Sequence, residues 1–199
     1  MPTPIPAAVL PTRERQRRQT RRMILQAGLD EITDHGLNGA RIERIARTAG
    51  VTRPTVYAHF PRKEDFLLEL RNDFRDRVLE DLKPRIGDAR GAEVVHRLID
   101  ALYDQIEHVH PVLRRESLSV VIREPDEMDW AGDPLFEMLV SRFFESDEGG
   151  ERASTLSAEE LGRLLVPAFL GVLIFENVPL DARRQAAHQT LELLMRGSR

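Results

Sequence analysis

The sequence predicts an all-α protein of about nine helices, a three-helix N-terminal head followed by a larger helical body. Three observations predict it. Apolar residues recur at three- and four-residue spacing along most of the chain, the period of one helical face, and no stretch alternates with the period of two that a strand needs. The breaks between these stretches are short and hold Gly, Pro or polar clusters, the residues that stop helices. Residues 42–60 place two short helical patterns around a single glycine, the layout of two small helices meeting at a tight turn.

The elements follow in order. The first helix is expected from about Arg15 to His35, with Leu25, Leu29 and Ile32 on its apolar face and Gly36 as its stop. Ile42, Ile45, Ala46 and Ala49 then make a short apolar face, and Gly50 sits just past it, where left-handed backbone is cheap only for glycine. Val51 is placed to plug the angle between two helices. Thr52 is placed to cap the second, with Pro54 in the first turn, where a missing N–H costs little. Val56 turns inward, which leaves Arg53, Thr55, Tyr57 and His59 for the outer surface.

A long helix is expected from about Lys63 to Leu82, with Phe66, Leu70, Phe74, Val78 and Leu82 on one stripe and Pro84 and Gly87 ending it. Another spans about 92–109, and Pro111 opens a shorter one that reaches about Arg123. After the acidic loop 124–133, Leu135 to Phe144 is again helical. Ser157 followed by Glu160 makes a capping box for the penultimate helix, and the last runs from about Asp181 to Met195.

Ile45-Ala46, Ala49-Gly50-Val51-Thr52, Thr55-Val56-Tyr57, His59-Phe60 and Lys63-Glu64 together resemble the N-terminal signature of the tetracycline-repressor (TetR) family of bacterial transcription regulators. Spacing alone fits an ordinary helical hairpin; the residue identities carry the resemblance, which covers residues 20–70. Three positions depart from the family pattern. Arg41 and Arg62 stand where a small hydroxyl or amide residue commonly caps a helix, and Pro54 replaces a frequent Gly. The resemblance implies a helix-turn-helix DNA-binding domain over 15–62, preceded by a flexible arm (1–14) and followed by a ligand-binding and dimerisation domain (63–199). It implies that the second short helix enters a DNA major groove. Arg53, Pro54, Thr55, Tyr57 and His59 would then form the recognition surface, with Arg41, Thr52 and Lys63 on phosphates.

Charge supports that division. Residues 1–66 hold 12 Lys or Arg against 7 Asp or Glu, a surplus of five, while the rest holds 17 against 26, a deficit of nine. A basic head on an acidic body suits a head that meets a polyanion. Arg13, Arg15, Arg17 and Arg18 precede the first apolar face and are expected to form a DNA-binding arm, disordered in solution; a solubilising tail is the plainer alternative. The chain has no cysteine, so thiolate metal sites are excluded and a reducing, cytoplasmic location fits. No secretory leader is expected, because residues 1–11 hold four prolines and no apolar run.

From Leu164 to Phe175 every residue is apolar, proline or glycine. A helix apolar all round is buried all round, and this one is too short for a bilayer, which needs roughly 20 residues. It is either the central helix of a monomer or half of a subunit interface. The family's last two helices form a dimer interface, which implies a homodimer through Leu164, Ala168, Gly171, Val172, Phe175, Ala187, Leu191 and Leu194. Two recognition helices related by a two-fold axis would read a palindromic operator on double-stranded DNA, with half-sites roughly 34–36 Å apart.

The resemblance also implies an unidentified small-molecule effector; release of DNA makes the protein a repressor, with activation as the alternative, since the same two-state head can be biased either way. Phe74, Leu102, Tyr103, Ile106, Trp130, Phe136 and Phe143 are the candidate pocket, although each also fits plain core packing. His108 and His110 lie two apart at a helix end without a convincing third ligand, so no metal and no cofactor is expected. An enzyme is the rival class. The chain has no phosphate-cradling Gly loop, nucleophile elbow or H-E-x-x-H, and no catalytic residue is assigned. A ligand-free architectural DNA-binding protein is the other alternative.

Overall fold

A computed structural model describes residues 12–123, 141–142 and 178–196. Seven helices make up these residues: α1 (Thr12–Gly39), α2 (Ile42–Thr48), α3 (Arg53–His59), α4 (Glu64–Ile86), α5 (Ala92–Ile106), α6 (Pro111–Arg123) and α7 (Leu180–Arg196). The described residues are all-helical, without a strand. No described helix is long and apolar enough to cross a membrane. Contacts divide the chain into two units, residues 1–69 and 70–199, with the boundary inside α4.

The first unit is built on α1. Ile24, Ala27, Gly28 and Ile32 are its buried face, whereas Leu25 and Leu29 of the expected face are only half-buried. The regular helix breaks at Gly36, whose φ of 67° and ψ of 165° kink the chain, and one more turn carries Leu37 into the core. The start differs from expectation. The helix begins at Thr12, so Arg13, Arg15, Arg17 and Arg18 lie on its exposed first turns instead of an extended arm. Arg and Gln are good helix formers, and Glu14 pairs with Arg18 one turn on at 2.9 Å.

Ile42, Ile45 and Ala46 of α2 are buried against this core. Gly50 ends α2 with φ +67°. The Val51 N–H reaches the Ala46 carbonyl (2.9 Å) and the Gly50 N–H reaches that of Arg47 (3.2 Å). This bonding is a Schellman motif, and it explains the glycine: a Cβ there would meet no atom within 4 Å, so backbone conformation and not space selects it. Thr52 then caps α3, its Oγ1 accepting the Thr55 N–H at 3.4 Å. Val56, Phe60 and Phe66 are fully buried, and the two phenyl rings stack at 4.4 Å. Phe66 fills the space left by Gly28, where a Cβ would come within 2.4 Å of the ring.

In the second unit, Val78, Leu82 and Ile86 of α4 pack with Ala89 and with Val94, Leu98 and Ala101 of α5. Pro84 does not end α4 as expected; the helix runs on to Ile86 and stops at Gly87, φ +44°. A proline one turn from the end removes a single hydrogen bond, and Arg97 donates to the Ile86 carbonyl at 3.0 Å and to that of Arg85. The α5 helix ends at Ile106, short of the expected 109.

Helix α7 packs on α5. Beside its apolar contacts runs a polar seam. Arg85 bridges Asp81 and Asp104, Arg184 reaches Asp104 at 2.6 Å, and His188 Nε2 lies 3.0 Å from Asp100. The Nδ1 atoms of His96 and His188 are 2.7 Å apart. Their ring centroids are 5.0 Å apart with the ring planes 19° from parallel, and which nitrogen donates depends on the tautomer.

Candidate nucleic-acid interface

The candidate interface is the outer face of α3 with its surroundings in the first unit. Val56 anchors the helix inward, and opposite it Arg53, Pro54 and Tyr57 are exposed while Thr55 and His59 are half-buried. Tyr57 keeps 45% of its surface in contact with solvent, an unusual exposure for a large aromatic side chain. The Thr52 and Thr55 hydroxyls bond each other at 2.8 Å, so both are committed to the cap.

Both ends of α3 are held. Arg21 of α1 donates from Nη1 to the His59 carbonyl at 2.6 Å, binds the Glu69 carboxylate through Nε and Nη2 at 3.2 and 2.7 Å, and lies 4.3 Å over the Phe60 ring. One guanidinium thus ties α1, the end of α3 and the start of α4. Burial lowers the His59 pKa, helped by the charges of Arg17 and Arg21, so this ring is neutral at physiological pH.

At the start of α2, Arg41 provides no side-chain cap. Glu31, a carboxylate on the buried face of α1, instead holds this N-cap residue by its backbone. Its Oε1 accepts the Arg41 N–H at 3.0 Å and Arg44 Nε–H at 2.6 Å. Burial pushes the Glu31 carboxyl up, but the hydrogen bonds from Arg44 and Arg41 and the Arg44 charge outweigh it, and its pKa lies below the ordinary value. Arg62 likewise cannot cap α4; its N–H goes to Asp65 Oδ2 at 2.8 Å, the reciprocal half of a capping box.

Lys63 differs from expectation. Its ammonium donates to the carbonyls of Leu37 (2.9 Å), Asn38 (3.3 Å) and Ala40 (3.3 Å), so its three donors close the C-terminal end of α1 and none is left for phosphate. Arg41 is exposed, and Arg53 is exposed and paired with Glu43 of α2 at 3.0 Å.

The profile of the family "Bacterial regulatory proteins, tetR family" matches residues 24–70, the segment that holds α2, α3 and the start of α4. This segment is similar to the DNA-binding head of TetR-family regulators. The chain is 35% identical over 86 residues to the HTH-type transcriptional regulator SrpR of Pseudomonas putida, an alignment of 43% of this chain and 40% of that one. It is 32% identical over 75 residues to the fatty acid metabolism regulator protein of Bacillus subtilis, covering 36% and 39%. The chain thus spans about 40% of the length of these two relatives. Among solved structures, the fatty acid degradation regulator FadR of Bacillus halodurans superposes with a TM-score of 0.64 over 86% of this chain and 94% of that one, at 23% identity, a likeness of fold.

Outside this head, the candidate pocket divides. Phe74 and Leu102 are half-buried against the α4–α5 core, and Tyr103 and Ile106 are buried. The Tyr103 hydroxyl has no hydrogen-bond partner among the described residues, and burial raises its pKa. Trp130, Phe136 and Phe143 lie outside the described residues, as do Leu164, Ala168, Gly171, Val172 and Phe175 of the expected interface. Leu194 falls in the last turns of α7. Ala187 and Leu191 need correction. They are 1% and 2% exposed within one chain, where α7 packs on α5, so no surface remains for a partner to cover. The exposed residues of α7 are instead Asp181, Ala182, Gln185, Ala186, Gln189 and Glu192. His110 is a cap, its Nδ1 accepting the Val112 N–H at 3.3 Å.

Sequence reasoning missed Glu31, Arg21 and Glu69. Glu31 had a signal: a carboxylate between Gly28 and Ile32 on an otherwise apolar face needs a buried partner.

Proposed function

We propose that this protein is a sequence-specific DNA-binding transcription regulator in which α2 and α3 form a helix-turn-helix and α3 reads a major groove. One observation carries the reading: α3 is fixed at both ends from within, while Arg53 and Tyr57 are exposed on it beside the half-buried Thr55 and His59. Rigid placement is what base readout needs, because a hydrogen bond to a base edge tolerates little misalignment. Arg41 and the exposed arginines of the first turns of α1, Arg13 to Arg18, supply phosphate contacts. The protein acts as a homodimer on a palindromic operator. The exposed side of α7 belongs to the interface, together with the apolar segment 164–175.

The effector is a small, mainly apolar molecule, and its binding releases DNA. Apolar side chains dominate α5, and the buried Tyr103 hydroxyl is a group that could orient a ligand. Two similar proteins are named for fatty-acid metabolism and degradation, which agrees with an apolar effector. The test compares full-length wild type with Arg53→Ala and Tyr57→Ala by fluorescence anisotropy on fragments captured from the source genome. Both variants should keep the wild-type melting temperature and lose preference for captured over random fragments, roughly 1–3 kcal/mol for a bidentate arginine contact. Unchanged preference in both variants removes α3 from the reading role.

A further inference from the structure

Arg53 does not stand alone on the proposed reading face. Its Nη1 lies 3.0 Å from Oε1 of Glu43, the second residue of α2, and both side chains are about half exposed, at 56% and 50%. The nearby exposed charges of α2, Arg41 and Arg47, are basic. An exposed ion pair of this kind contributes little to folding, because solvent screens it. A carboxylate on a face that meets a polyanion therefore carries a cost in binding without a matching return in stability.

We propose that Glu43 is a specificity-determining residue that directs the Arg53 guanidinium to a base edge and away from phosphate. The inference rests on the reading of α3 as the recognition helix. A guanidinium carries five N–H groups in a planar fork. A carboxylate at Nη1 leaves the Nε–Nη2 edge for a pair of acceptors such as guanine O6 and N7. A base edge is neutral and tolerates the nearby carboxylate, whereas a phosphate held by Arg53 would sit close to a like charge. Glu43 thus penalises the sequence-independent mode of Arg53 more than the sequence-dependent one, and discrimination rises at the expense of overall affinity.

The experiment uses the full-length protein as wild type, Glu43→Gln, Arg53→Ala and the double variant. Each is titrated against a duplex that the wild type selects from a random-sequence library and against a scrambled duplex of the same composition. Thermal melts establish that all four fold. Glu43→Gln should bind the scrambled duplex several-fold tighter, and its ratio of selected to scrambled affinity should fall about tenfold. In the Arg53→Ala background the same change should raise both affinities alike. An unchanged ratio in Glu43→Gln, or an equal fall with and without Arg53, overturns the proposal. If the wild type selects a sequence and Glu43→Gln keeps full discrimination, this inference alone fails. If the wild type selects none, the recognition-helix reading fails and takes the inference with it.

Discussion

Glu31 of α1 holds Arg44 of α2 through a 2.6 Å hydrogen bond, and the same carboxylate oxygen accepts the Arg41 N–H at 3.0 Å. A buried acid on one helix therefore holds the N-cap residue of the next by its backbone N–H, the part a carboxylate plays in a capping box. The arrangement fixes where α2 starts, and through the Schellman turn at Gly50 it fixes where α3 can start.

Glu31→Gln should destabilise the protein by about 2 kcal/mol at neutral pH, since it weakens charge-assisted bonds in a buried site. The pH dependence has a definite sign. The folded pKa of Glu31 is lowered, so its contribution is full above the unfolded carboxylate pKa and is lost as pH falls through the folded one. The deficit of Glu31→Gln relative to wild type should shrink in acid. Urea unfolding at pH 7 and at about pH 4 checks this. A deficit of equal size at both values contradicts the account.

Lys63→Ala should act on stability before it acts on DNA. Losing three carbonyl contacts at the end of α1 should cost about 1–2 kcal/mol in denaturant unfolding. The slope of DNA affinity against salt should stay within error of wild type, because the ammonium makes no phosphate contact. A slope reduced by about one would return Lys63 to the phosphate role that its sequence position suggested.

Gly28→Ala should be among the more damaging small substitutions. The added Cβ would lie 2.4 Å from the Phe66 ring, which is fully buried and stacked on Phe60. Overpacking of this kind costs about 1–3 kcal/mol. Gly28→Ala/Phe66→Leu should recover part of the loss, and a thermal melt of the single variant that matches wild type would show that the ring can move aside.

Local features of the head were legible because their causes are local. The apolar spacing Ile42, Ile45, Ala46, Ala49, followed by a glycine and a threonine, specifies the α2 end and the α3 cap within a dozen residues. The clamps were not legible, since their partners are distant in sequence: Arg21 meets Glu69 48 residues on, and Lys63 reaches back 26 residues to Leu37. Ala187 and Leu191 show a different limit. Their apolar face could be read, but periodicity does not say whether α5 of the same chain or a second chain covers it. Pro84 shows a third, because a proline removes one hydrogen bond to the preceding turn and the helix can run on past it.

Selection from a random-sequence duplex library by the full-length protein, with sequencing of the bound fraction, tests the central claim most directly. The account predicts enrichment of an inverted repeat whose half-site centres lie about one helical turn apart, roughly 34–36 Å, or a multiple of it. The same selection with Arg53→Ala should relax preference at matching positions in both halves. A bound fraction indistinguishable from the input library, or an enriched motif unaffected by changes at Arg53 and Tyr57, would contradict it.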